Sequence, residues 1–319
     1  KTVIKAFDMV VVNICPFEKI MLENPDVSDM VNKIDIVGIT LLRAGAKNYK
    51  NVTVITDKVD YYVALNANEF GRLKLAAKAF NVASNYDRLI ATKLAEQTGE
   101  KPFKTLSFEK LRDLKYGENP HQKGAIYKTE RMVDYEVING RELSYNDILN
   151  VTEATNIVSE FYDVNAVSII RHTKPCGVAL GRSIYDAYTK AFDCDPVSSF
   201  YGTVGFSKPV DLEVAKHLNS MSVEVIIAPD FMPDAVKLFE DNSDIKLVKL
   251  NTPLKDYKRY TREEVILSPF GALVQDGNSS ELDKDMFKVV TREKPTTEQV
   301  EDAVCKICKN KFCSYCKRF

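Results

Sequence analysis

Short apolar runs alternate along this chain with longer stretches in which apolar residues recur every three or four positions. Val164-Asn165-Ala166-Val167-Ser168-Ile169-Ile170 is brief, β-branched and bounded by polar residues, the pattern of a buried strand. Similar runs predict strands at 8–14, 51–55, 203–206 and 223–228, the last closed by Pro229. Between them, helices are predicted at 27–34, 39–49, 146–161, 184–192 and 212–220. Most of 59–98 is also read as helical, because Leu73, Leu75, Ala76, Ala79, Phe80 and Val82 fall at helical spacing. A hairpin is expected across 124–143 and a last helix over 298–308. The alternation predicts an α/β fold, and over 6–95 it predicts a parallel sheet with helices on its faces.

A chain of 319 residues, 45% hydrophobic and 28% charged, is globular and long enough for two domains. The polar stretch 96–103, with Gly99 and Pro102, is the linker candidate. The net charge of −1 supplies no basic field for nucleic acid or a membrane surface. There is no apolar run of about 18 residues, so no transmembrane helix is predicted. The chain opens on Lys1 and runs almost at once into a strand, so it is expected to begin inside a longer protein. Cys15, Cys176 and Cys194 are scattered, as in a reducing, cytoplasmic setting.

The chemistry concentrates where the strand at 164–170 ends, in Arg171-His172-Thr173-Lys174-Pro175-Cys176-Gly177. A basic pair at the end of a buried strand suits anionic ligands and proton transfer, and the Pro-Cys-Gly turn is expected to open a helix. His172 is one of only three histidines, and a second, His121, lies in the dense polar turn Lys115-Tyr116-Gly117-Glu118-Asn119-Pro120-His121-Gln122. Asp35 and Lys47 flank a predicted helix; they serve a reaction only if both face one pocket, and otherwise are solvated charges. The loop 195–202 offers Phe200 as a stacking face and serine or amide donors to an anion, or is an Asx-type turn. A zinc deaminase would need a second cysteine three residues after Cys176 and a His-x-Glu; Ala179 and Lys174 stand there instead. Cys305, Cys308, Cys313 and Cys316 have the paired spacing of a metal site, but the middle spacer is short for a zinc ribbon, and reactive tail cysteines are expected.

Together these segments resemble the bifunctional purine-synthesis family of AICAR transformylase/IMP cyclohydrolase. Val11 to Phe17 is similar to its "VNLYPF" stretch, Ile34 to Tyr49 to "IDIGG-TLLRAAAKNH", and Lys115 to Gln122 to "RYGENPHQ". Glu142 to Asp147 is similar to "ELSYNN", Arg171 to Gly177 to "KHANPCG", and Asp195 to Gly202 to "DPVSAFGG". The order is the family's own. The resemblance implies a methylglyoxal-synthase-like portion over 1–108, part of the cyclohydrolase, and a metal-free, cytidine-deaminase-like transformylase portion over 109–319. It implies formyl transfer from the co-substrate 10-formyltetrahydrofolate to AICAR, then closure of formyl-AICAR to IMP, in a homodimer whose sites lie across the interface. His172 matches the histidine that takes a proton from the substrate amine, a task for the one side-chain type that titrates near neutral pH. Arg171 matches its lysine neighbour, and Asp35 and Lys47 match cyclohydrolase groups that act with a tyrosine. Asn13, Ile36, Lys115, Tyr116, Asp147, Phe200, Tyr201 and Glu224 fall on or beside substrate-contacting positions.

The chain departs from the pattern in six places. Cys15 stands for the tyrosine of "YPF", Val37 for a glycine, Arg171 for lysine and Lys115 for arginine. Asp147 replaces an asparagine and is expected to bring a negative charge near an anionic substrate, and Tyr201 replaces a glycine. The family pattern also extends beyond both ends. Low or absent turnover by these 319 residues alone is therefore expected. The competing reading is a silent member that keeps the fold for nucleotide binding or dimerisation.

Overall fold

A computed structural model describes residues 5–22, 26–99, 104–129, 132–257 and 263–277, with short pieces at 288, 292–297 and 299–300. The four tail cysteines and most of the expected last helix lie outside these residues. The chain divides into two compact units, 1–107 and 108–319.

In the first unit the elements are β1 (Met9–Val11), α1 (Phe17–Leu22), α2 (Val27–Asn32), α3 (Ile36–Lys47), β2 (Thr53–Ile55), α4 (Tyr61–Leu65) and α5 (Glu69–Thr98). The two strands pair in parallel, Met9 opposite Thr53 and Val11 opposite Ile55. Helix α5 is 30 residues long; the Asn68 side chain caps it by accepting from the Gly71 N–H, and Gly99 ends it at φ 72°. A left-handed residue at that position is the usual glycine stop. Leu42 and Ala46 of α3, Val54 of β2, and Ala76 and Ala79 of α5 form one apolar cluster. Phe17, Met30, Ile39, Ala83 and Tyr86 form another.

In the second unit the order is β3 (Glu109–Leu114), β4 (Gly124–Lys128), β5 (Tyr135–Asn139), α6 (Tyr145–Ser159), β6 (Ala166–Arg171), β7 (Lys174–Leu180), α7 (Ile184–Cys194) and β8 (Thr203–Phe206). It continues with α8 (Leu212–Asn219), β9 (Val225–Ala228), α9 (Pro233–Phe239), β10 (Lys246–Leu250), β11 (Glu264–Ser268) and β12 (Gly271–Gln275). Six strands form the central sheet in the order β5-β10-β9-β8-β6-β7. Strands β10, β9 and β8 pair in parallel, and β5, β6 and β7 each join through antiparallel pairings. The sheet is thus mixed, with a parallel centre.

Alternation along the strands fills both faces. Val225 and Ile227 of β9 join Ile170 and Val178 against Ala154 and Ile157 of α6. Ile226 and Ala228 turn to the other face, with Val214 and Leu218 of α8 and Phe239 of α9. Most predicted helices appear within a few residues of their expected places.

Two expectations fail. The predicted hairpin across 124–143 is absent: β4 pairs backwards with β3 through the turn at 115–123, and β5 pairs with β10, more than a hundred residues away. Nor does Pro175-Cys176-Gly177 open a helix. It lies inside β7, the antiparallel partner of β6. Proline survives there because β7 is the edge of the sheet. The register slips between Ile169 and Ile170, so Cys176 is the extra residue of a bulge. Gly177 is required by packing: a Cβ there would lie 1.9 Å from the Ala191 carbonyl oxygen of α7.

Candidate active site

Arg171 and Lys174 are paired across β6 and β7, which leaves His172 and Thr173 as a two-residue hairpin loop. Both have positive φ, 51° and 62°, as a type I′ turn demands. Such backbone disfavours non-glycine residues and a β-branched threonine most of all. The Thr173 hydroxyl donates to the His172 carbonyl at 2.6 Å, and the Thr173 N–H donates to Asn150 Oδ1 of α6 at 2.9 Å. The turn thereby presents His172 exposed, and Arg171, the residue before it, is half-buried.

The other segments singled out in the second unit meet at this end of the sheet. Because β6 is antiparallel to β8, its last residues lie beside the first residues of β8, with Ile170 opposite Thr203. Thr203 in turn lies opposite Val225 of β9, and Val225 opposite Lys246 of β10. The 195–202 loop, Glu224 and Lys246 therefore stand at successive strand ends. With neighbouring strands about 4.8 Å apart, the backbones at 171 and 225 are roughly 10 Å apart.

The 195–202 loop is an Asx turn, the simpler of its two sequence readings: Asp195 accepts from the Ser198 N–H at 2.9 Å and from its hydroxyl. Those two bonds hold the Asp195 carboxyl below its ordinary pKa. Tyr201 also has a positive φ, 54°, and its N–H donates to the Ser222 carbonyl, while the Glu224 N–H donates to the Gly202 carbonyl. Phe200 and Tyr201 are exposed. The small cavity behind Phe200, lined by Ile169, Tyr188, Val204, Ser199 and Ser222, is about the size of one water.

Asp147 does not present its charge to a ligand. Its carboxylate accepts from the Ser144 N–H at 2.7 Å, completing a capping box that starts α6. It also pairs with Lys246 at 2.9 Å, and its side chain is 2% exposed. The expectation of a negative charge facing substrate is corrected here: the charge is spent inside the fold. Lys246 also reaches Glu224 at 3.3 Å, and Glu224 keeps 44% of its side chain exposed. Burial works against the Lys246 ammonium, but the Asp147 and Glu224 carboxylates more than offset it and raise its pKa.

The Lys115–Gln122 turn is closed by the Gly117 N–H donating to the Gln122 carbonyl at 2.7 Å. It is tied to α6 by the Asn146 side chain donating to the Glu118 carbonyl at 3.1 Å. Lys115 Nζ lies 5.9 Å over the Tyr116 ring, and His121 is exposed. The third histidine, His217, packs edge-on against Tyr185, Tyr188 and Phe192 and is structural. Sequence reading missed Lys246 and Asn150. For Lys246 there was a signal, a charged residue between the apolar Ile245 and Leu247; for Asn150 there was none.

In the first unit Asp35 caps α3, its Oδ1 accepting from the Gly38 N–H at 2.7 Å. A Cβ at Gly38 would come within 2.4 Å of the Asp35 carboxylate, so a larger residue there would displace that cap. The Asp35 N–H donates to the Tyr86 hydroxyl at 2.7 Å, and burial raises that phenol's pKa. Ile36 and Val37, each 69% exposed, follow on the first turn. Asn13 is exposed just past β1, and Lys47 is exposed in the last turn of α3. Asp35 and Lys47 are separated by the helix itself, about 18 Å at 1.5 Å per residue.

Cysteine chemistry follows burial. Cys176 donates weakly to the Ser198 carbonyl at 3.4 Å, and burial, with Asp195 nearby, pushes its thiol pKa up against the opposing pull of Arg171. Cys15 is exposed. Iodoacetamide at neutral pH should therefore alkylate Cys15 well before Cys176, read by peptide mass mapping. Equal rates would contradict the burial of Cys176.

Among the described residues no group of His, Cys, Asp or Glu could hold a metal ion, and no helix is long and apolar enough to cross a membrane. The family model for the AICARFT/IMPCHase bienzyme matches residues 45–317. The bifunctional purine biosynthesis protein PurH of Acetivibrio thermocellus is 40% identical over 317 residues, covering 94% of this chain and 61% of the relative. The PurH of Clostridium botulinum strain Kyoto is 39% identical over 313 residues, with the same coverage. That of Ruminiclostridium cellulolyticum is 38% identical over 319 residues. The chain thus spans about three fifths of the length of these curated relatives. By the extent of these matches, the chain belongs to the AICARFT/IMPCHase bienzyme family.

Proposed function

We propose that this chain takes part in purine nucleotide synthesis by transferring a formyl group from 10-formyltetrahydrofolate to the 5-amino group of AICAR. In this reading residues 108–319 belong to a cytidine-deaminase-like transformylase, and His172 is the base. The amine nitrogen bonds to the formyl carbon, the bond from that carbon to the folate nitrogen breaks, and His172 takes the amine proton, which the departing folate nitrogen can recover. Arg171 stabilises negative charge on the formyl oxygen; unlike lysine it does so with a planar, two-pronged donor. Lys115 holds the substrate phosphate as a point charge, with Tyr116, Phe200 and Tyr201 around the nucleotide and Glu224 accepting from its hydroxyls. The observation that carries the reading is the meeting of the His172 turn, the 195–202 loop and Glu224 at successive strand ends, with the 115–122 turn tied to the same end through α6.

Residues 1–107 are proposed as part of a methylglyoxal-synthase-like cyclohydrolase, with Asn13, Asp35 and Ile36 contacting the nucleotide. The helix between Asp35 and Lys47 means that Lys47 serves ring closure only toward a ligand that approaches from its own end of α3. A homodimer and a cytoplasmic setting are part of the same proposal. Calorimetric titration of the whole chain with AICAR tests it. Saturable binding that weakens in Lys115→Ala is the expected result; no binding would refute the nucleotide site.

A further inference from the structure

We infer that Asn150 is a positioning residue for His172: its side-chain oxygen holds the strained turn that presents the imidazole. The inference rests on the formyl-transfer reading of His172. Among the described residues three non-glycine positions have positive φ, and two of them are His172 and Thr173. Backbone of this kind persists only where its surroundings over-determine it. The Arg171–Lys174 pairing and the bond from the Thr173 hydroxyl to the His172 carbonyl are local to the hairpin and move with it. The bond from the Thr173 N–H to Asn150 Oδ1, 2.9 Å, is different, because it ties the turn to another element.

That element is itself fixed. The Ser144–Asp147 capping box sets where α6 begins, and Ala154 and Ile157 pack it on the sheet. Asn146 and Asp147, one turn earlier, hold the Glu118 carbonyl and the Lys246 ammonium. Asn150 is thus the third polar side chain by which the first two turns of α6 hold a separate strand-end segment. Its job needs only an acceptor aimed at an N–H, so aspartate can replace it and alanine cannot.

The test compares the whole chain with Asn150→Ala, Asn150→Asp and the double variant Asn150→Ala/Thr173→Gly. Formyl transfer to AICAR and hydrogen exchange of the Thr173 amide are measured on each, with circular dichroism confirming the fold. Asn150→Ala is expected to lower kcat about tenfold, well inside the roughly hundredfold that an ångström of misplacement can cost, with a smaller change in KM. Its Thr173 amide should exchange faster. Asn150→Asp should restore both readouts. Thr173→Gly should recover part of kcat in the alanine background, because glycine takes positive φ without strain. A merely structural role would not respond to glycine at the turn. Wild-type kcat in Asn150→Ala, with Thr173 exchange accelerated, would overturn the inference. A wild-type chain that transfers no formyl group, while Thr173 protection still depends on Asn150, would locate the failure in the formyl-transfer reading and remove the catalytic part of the inference with it.

Discussion

His172→Ala is expected to lower formyl transfer about 10²- to 10⁴-fold, the range for loss of a positioned acid–base group. The structure separates this chemical loss from a structural one. His172 is exposed on a two-residue turn, and the bonds around it use only its backbone carbonyl and the groups of Thr173. Removing the imidazole leaves the Arg171–Lys174 pair and the Asn150 contact in place. His217→Ala would act the other way, opening a hole among three aromatic rings and costing stability. Single-turnover rates with unchanged melting temperature are the check. A His172→Ala rate within a factor of three of wild type would strip the residue of its role.

Asp147→Ala is expected to produce the largest loss of stability, about 3 kcal/mol, the lower end of the range for breaking a buried ion pair. Two functions fail at once: the α6 N-terminus loses its capping carboxylate, and Lys246 keeps only the half-exposed Glu224. Asp147→Asn should cost less, because an amide oxygen still accepts from the Ser144 N–H while the charge is lost. Urea denaturation of the three proteins orders them. The pH dependence has a definite sign. The folded pKa of Lys246 is raised, so its pairing contributes fully below the ordinary lysine value near about 10.4 and is lost as pH rises through the folded value. The advantage of wild type over Asp147→Ala should therefore persist at neutral pH and shrink in strong alkali; a gap that grows with alkali would contradict the pairing.

Much of the site was legible because its chemistry sits in contiguous segments. Each marked stretch carried its own turn residues, Gly117 and Pro120 in one, Asp195 and Ser198 in another, and these fold locally. What could not be read was which segments meet. Strand order is set by pairing across long separations, such as β5 with β10, and no local pattern announces it. The same limit explains β7. Proline and glycine around Cys176 signal a turn, yet at a sheet edge proline costs no ladder bond, and the glycine answers to Ala191 of α7 rather than to a bend. Asp147 was misjudged for a related reason. Its neighbours in sequence place it near a substrate motif, but its partner, Lys246, lies 99 positions later in the chain, on the first residue of β10. For Asp35 and Lys47 the spacing left a shared pocket or two solvated charges open, and the structure puts the length of α3 between them.

The most direct test of the account is formyl transfer itself, followed as tetrahydrofolate release from 10-formyltetrahydrofolate in the presence of AICAR, with the whole chain as enzyme. The account predicts AICAR-dependent release, slow but measurable, that falls at least a hundredfold in His172→Ala. Release that does not depend on AICAR, or that His172→Ala leaves untouched, would contradict it.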